Sequence, residues 1–195
     1  MRSDVSVWRR SLLVATVSLI ALTALTACHA SVTVGTSNPT TKTFTGHNVS
    51  FQYPGSWNPV QLGTKSASQG TPIWTEAFGV NTASFATVAQ YPENIAITPS
   101  NIDQHTSELT TQMQNLFAQA GGSMQSGPTK MTLGGFPALG YSGTAVNPDA
   151  VSVKNRIVLA FNGKTEYLVN CQSTGQSSGA IDAGCDQIIR TFTVG

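Results

Sequence analysis

Few residues of this chain have the type and spacing to do chemistry, and the clearest is a cysteine. In "LIALTALTACHASVTVG" an uncharged run stops at Cys28. The tetrad Leu25-Thr26-Ala27-Cys28 resembles the bacterial lipobox, a leucine and two small residues before an invariant cysteine. The implied chemistry is sulfur nucleophilicity. The Cys28 thiolate takes a diacylglycerol, cleavage falls just before it, and the new amino terminus can also be acylated, for example by palmitate. One acyl chain holds a protein to a membrane only marginally, at about 0.8 kcal/mol per buried methylene, whereas two or three make a stable anchor. An ordinary secretory signal with a chance cysteine, or a short uncleaved anchor, would use the same residues differently.

The other candidates are weaker. Cys171 and Cys185 form an even pair once Cys28 is claimed by lipid, and in an oxidising compartment they are expected to be bonded; two free buried thiols are the alternative. Ser142 in "GYSGT" lacks the flanking glycine spacing of a nucleophile elbow, and no Ser-x-x-Lys, phosphate loop, CxxC or HExxH occurs. A hydrolase would need a site assembled from distant residues such as Ser142, His47 and Asp149. His29, His47 and His105 are scattered, so no metal site and no cofactor is expected, and Asp182 and Asp186, four apart, read as an exposed helix face. Trp57, Trp74, Phe78 and Tyr91 cluster in the first half. Of these, Trp57, Trp74 and Tyr91 are the candidate ligand-binding residues of a cleft for lipid, sugar or peptide. Core anchoring is the competing role for large aromatics.

The elements that would position these groups start with a targeting segment. Arg2, Arg9 and Arg10 precede the uncharged stretch from Ser11 to Ala27, the pattern of a signal peptide over residues 1–27, with a run short for a permanent membrane span. Residues 28–42, small and polar, read as a flexible tether, and residues 43–195 as one domain. Beyond Cys28 seven basic residues face eight acidic ones, a net charge of −1 that argues against a nucleic-acid partner. The expected address is the extracytoplasmic face of the cell membrane, lipid-anchored, with the membrane and an envelope protein or lipid ligand as partners.

Within the domain, Val49, Phe51 and Tyr53 alternate with polar residues as in a half-buried strand, and "YPGSW" ends it. Further strands are predicted at 73–80, 85–89 and 94–98. A helix over 101–120 has a Ser100/Asp103 capping box, a stripe of Ile102, Thr106, Leu109, Met113, Leu116 and Ala120, and a Gly121-Gly122 stop. Leu109, Met113 and Leu116 are expected to pack on the sheet. Apolar pieces at 131–133 and 138–144 flank Gly134-Gly135. Val151, Val153, Ile157, Leu159 and Phe161 keep a period of two interrupted by Asn155, and Asn162-Gly163 marks a hairpin to Tyr167, Val169 and Cys171. A three-residue loop, pairing Leu159 with Tyr167, aligns the apolar faces and is preferred over a two-residue one. Ile181, Cys185, Ile188 and Phe192 share a face of a last helix, with Asp182 near its start to suit the dipole. Cys185 then points inward toward Cys171.

"GHNVSFQYPGSW", the Gly-Phe-Pro-Ala element at 135–138, "RIVLAFNGKTEYLVNC" and a helix running into "IIRTFTV" resemble the PsbP-like fold, and within it the Lpq-type lipoproteins of actinobacteria. The resemblance implies an α+β domain, an antiparallel sheet packed between helices. It also implies a non-catalytic role in binding or assembly at a membrane of the cell envelope.

Overall fold

Alternation of Val49, Phe51 and Tyr53 with Ser50 and Gln52 buries one face of strand β2 (Val49–Pro54), which ends at the expected proline. Strand β1 (Thr41–Gly46) precedes it and pairs antiparallel from Thr41↔Pro54 to Gly46↔Val49. Between them His47 (φ 54°) and Asn48 (φ 60°) are both left-handed, the backbone that a two-residue hairpin turn requires. The computed structural model describes residues 40–62, 71–147 and 149–195. The signal segment, Cys28, His29 and all but the end of the tether lie outside the described residues.

The larger sheet is antiparallel throughout and runs in the order β3-β4-β5-β8-β7-β6. Its members are β3 (Asn58–Pro59), β4 (Trp74–Asn81), β5 (Ser84–Ile97), β6 (Ser123–Leu133), β7 (Phe136–Val146) and β8 (Ser152–Ser173). The runs predicted at 85–89 and 94–98 are one strand, β5, with a bulge between Pro92 and Ile97 that disguises its period. β6 was legible only at its apolar end, because the rest is a solvated edge bearing Pro128 and Lys130. Gly134 (φ 59°) and Gly135 (φ 85°) turn β6 into β7.

Extended over its 22 residues, β8 would span about 70 Å, yet Val153 and Gln172, near its two ends, line one cavity. The chain therefore reverses around Gly163 (φ 61°), and the arm 152–160 pairs with β7 while the arm 163–172 pairs with β5. The hairpin thus stands at the centre of the sheet, as expected. Its register differs from expectation. Leu159 shares a face with Ile157 and Leu168, while Tyr167 shares the opposite face with Val158 and Ala160. That parity requires a turn with an even number of residues rather than three. Aligning apolar faces misled because both faces of β8 are buried, so either parity presents apolar residues.

Helix α1 (Ile102–Gln119) covers one face of this sheet, and helix α2 (Ser178–Thr191) with the small sheet β1-β2-β9 (Thr193–Val194 as β9) covers the other. Leu109 and Met113 are buried as expected, but Phe117 rather than Leu116 goes deepest, and Leu116 is half-buried beside it. The Ser100/Asp103 capping box does not form. Asn101 is the N-cap residue, its Oδ1 accepts the Thr98 backbone N–H at 2.7 Å, and Asp103 instead meets Lys130 at 2.6 Å. Gly121 (φ 71°) ends the helix as expected. In α2, Ile181, Cys185 and Ile188 face inward, Asp182 lies beyond the first turn, where the dipole is weak, and Phe192 is buried one residue past the helix. Cys171 and Cys185 are disulfide-bonded, with Cα atoms 6.1 Å apart, which staples α2 to the return arm of β8.

Candidate functional site

The dispersed hydrolase constellation is not assembled. His47, in the β1–β2 turn, stacks on Trp74 at 4.8 Å and lies 3.4 Å from Glu76 of β4. Ser142, on β7, shares a 2.7 Å hydrogen bond with Ser126 of β6. From β4 to β7 the sheet crosses β5 and both arms of β8, about 19 Å at roughly 4.8 Å per strand. Asp149 sits in the β7–β8 loop, where its backbone N–H donates to Asn147 Oδ1 at 3.1 Å. His105, on α1, is on the opposite face of the sheet from His47, and no cluster of metal-ligating side chains occurs among the described residues. Asp182 and Asp186 are exposed, and Asp186 pairs with Arg156 at 2.5 Å.

The aromatic candidates are not one cleft. Trp57, 2% exposed, is core. Its indole fills the space above Gly184 in α2. Trp74 lies in the same core and donates its Nε1–H to Gln90 Oε1 at 2.5 Å, and Phe78 stacks on Tyr53 at 4.4 Å. Tyr91 packs on the opposite face, across from Glu166. For Trp57 and Trp74 the anchoring role is what the fold uses.

Two features on the α1 face were missed. Glu166 is half-buried opposite Tyr91, and its carboxyl is pushed up to about 8 by burial, then by the charge of Glu93 and a hydrogen bond with it. A carboxyl raised in the native state binds its proton there and not in the unfolded chain. Its contribution is full below the unfolded value and is lost as pH rises to about 8. Glu166→Gln is therefore expected to gain thermal stability relative to the parent as pH climbs from 5 to about 8, with no further gain above that. A pH-independent difference in melting temperature would refute this.

The second feature is a cavity of about 230 Å³ between the last turn of α1 and the sheet. Leu116 and Phe117 roof it, Val153 and Ile157 flank it, and Asn155 and Asn170 lie on its floor. Asn155 is 7% exposed, and the buried Oδ1 of Asn170 has no hydrogen-bond partner among the described residues. The signal in the sequence was Asn155 itself, a polar residue at an inward position of an otherwise apolar alternation. Asn170 gave none, since its neighbours Val169 and Cys171 define the other face.

No protein-family model matches the chain, and no curated protein sequence matches it significantly. Among solved structures, cyanobacterial PsbP (CyanoP) from Synechocystis sp. PCC 6803 is similar at a TM-score of 0.59 and 11% identity, over 88% of this chain and 99% of that one. LpqN, involved in cell envelope biogenesis of Mycobacterium tuberculosis, aligns at a TM-score of 0.44 and 14% identity over 75% of this chain and 82% of LpqN. A protein from Bacteroides thetaiotaomicron VPI-5482 aligns at 0.46 and 12% identity over 76% of this chain, which spans 45% of that protein's length. The likeness to CyanoP shows the fold: the domain is PsbP-like, α+β, with an antiparallel sheet between helical layers.

Proposed function

We propose that this protein is a lipoprotein of the cell envelope, held at the extracytoplasmic face of the membrane through lipid on Cys28. Its PsbP-like domain binds an amphipathic ligand or an envelope protein without transforming it. The observation that carries the binding reading is the cavity under α1: apolar walls over a carboxamide floor, with no charged group among its described lining residues. Carboxamides donate and accept hydrogen bonds but act neither as bases nor as nucleophiles near neutral pH, so the site suits recognition rather than acid–base work. The anchor reading is supported by the basic start, the uncharged run from Ser11 to Ala27 and the Leu25-Thr26-Ala27-Cys28 tetrad. Among the described residues no helix is long and apolar enough to cross a membrane.

Native mass spectrometry of the protein taken from its own envelope tests the binding reading, with a retained small molecule or partner as the expected result. Turnover of a substrate at the α1 cavity would contradict it. For the anchor, Cys28→Ala is expected to abolish lipidation and cleavage before position 28, leaving precursor or a product cut elsewhere. Leu25→Asp acts similarly, because a carboxylate is costly in the membrane-held segment. A mature wild-type peptide that starts at unmodified Cys28, or at any other residue, would sink the lipoprotein assignment.

A further inference from the structure

We propose that the cavity beneath the last turn of α1 is a site for an uncharged molecule that carries a hydrogen-bond donor, an amide N–H or a hydroxyl, beside an apolar group. This names the ligand class of the binding reading above and does not depend on the lipid anchor. The space, about 230 Å³, compares with roughly 30 Å³ per water in the liquid and takes a group the size of a substituted benzene. Leu116, Phe117 and Ile157 supply apolar contact for such a group.

The polar end is set by the floor. Native proteins pair nearly all their buried polar atoms, so an orphaned acceptor in a cavity wall marks where a donor belongs. Asn170 Oδ1 is an orphaned acceptor packed just behind that wall, and the broad terminal torsion of asparagine lets the carboxamide turn it toward the cavity when a donor arrives. Two neighbouring carboxamides are each engaged at one end. Gln172 Nε2 donates to the Ala83 carbonyl at 3.3 Å, and Asn147 Oδ1 accepts the backbone N–H groups of Asp149 and Val151 at 3.1 and 2.8 Å. Those last two bonds pin the rim of the cavity, which leaves Asn155 and Asn170 to meet a ligand. A neutral group is favoured over a charged one, because an ionised group brought against these apolar walls finds no counter-charge among the described lining residues.

Saturation-transfer difference NMR on the full chain in lipid nanodiscs tests this, with benzamide as probe, benzoate as its charged counterpart and empty nanodiscs as the blank. The expected result is a saturable benzamide signal above the blank, with benzoate weaker by about tenfold or more. Asn170→Leu and Asn155→Leu should each abolish the benzamide signal. Asn170→Leu should also melt no lower than the parent, since it replaces an unsatisfied buried oxygen by an apolar group of similar shape. No saturable benzamide signal above the blank, or binding that persists in both variants, would overturn the proposal. Chain that proves unlipidated is measured in buffer instead, so failure of the anchor and failure of the site read out separately.

Discussion

Gly184→Val is expected to destabilise the domain by about 4 kcal/mol, through overpacking and the partial undocking of a helix. A Cβ at Gly184 would lie 2.2 Å from Trp57 Cζ2, 2.4 Å from Cη2 and 2.9 Å from Pro54 Cγ. A fully buried indole and a proline ring cannot turn aside as a flexible side chain would. Relief requires α2 to lift away, which exposes part of Ile181 and Ile188, both 0% exposed, each side chain worth about 1.5–3 kcal/mol when fully buried. Gly179 provides the internal comparison. It lies in the same helix, a Cβ there meets nothing within 4 Å, and Gly179→Ala is expected to stabilise by up to about 1 kcal/mol through lower backbone entropy in the unfolded chain. Urea denaturation of the three proteins measures both effects. A Gly184→Val variant within about 1 kcal/mol of wild type would show that α2 does not depend on the close seat of Trp57.

Removal of the disulfide by the double substitution Cys171→Ala and Cys185→Ala is expected to cost about 3 kcal/mol, the chain-entropy value for a loop of about 15 residues. The separation in sequence is 14. Alanine is the suitable replacement because both sulfurs are buried, at 2% and 0% exposure, and serine would leave hydroxyls without partners there. The effect should concentrate on α2, which the bond ties to the return arm of β8, so proteolysis under native conditions is expected to start at the carboxy-terminal helix in the double variant. Wild type unfolded without reductant should titrate no thiol from this pair. Two titrating thiols, or a variant as stable as the parent, would contradict the staple.

The sequence alone determined the elements whose signals are local. The Val49–Phe51–Tyr53 alternation, helix α1 with Ile102, Leu109 and Met113 inward, its glycine stop and the amphipathic last helix stand where periodicity and turn chemistry put them. The same reasoning set Cys185 inward on α2 and Cys171 on a buried strand, which is enough to expect their bond. The candidate lipid site at Cys28 is likewise a linear motif. Only the tertiary structure decided the hairpin parity, because a central strand buried on both faces carries no polar side to fix its register. It decided that Trp57 and Trp74 are core rather than cleft, since burial depends on what packs above a residue and not on its type. It also decided the cavity with a carboxamide floor beneath α1. Asn155 and Asn170 are 15 positions apart in the chain, and no spacing rule joins them. Reversal of β8 places them on one face, and the last turn of α1 covers one side of the space above them. That convergence depends on long-range pairing, for which a one-dimensional pattern has no signal.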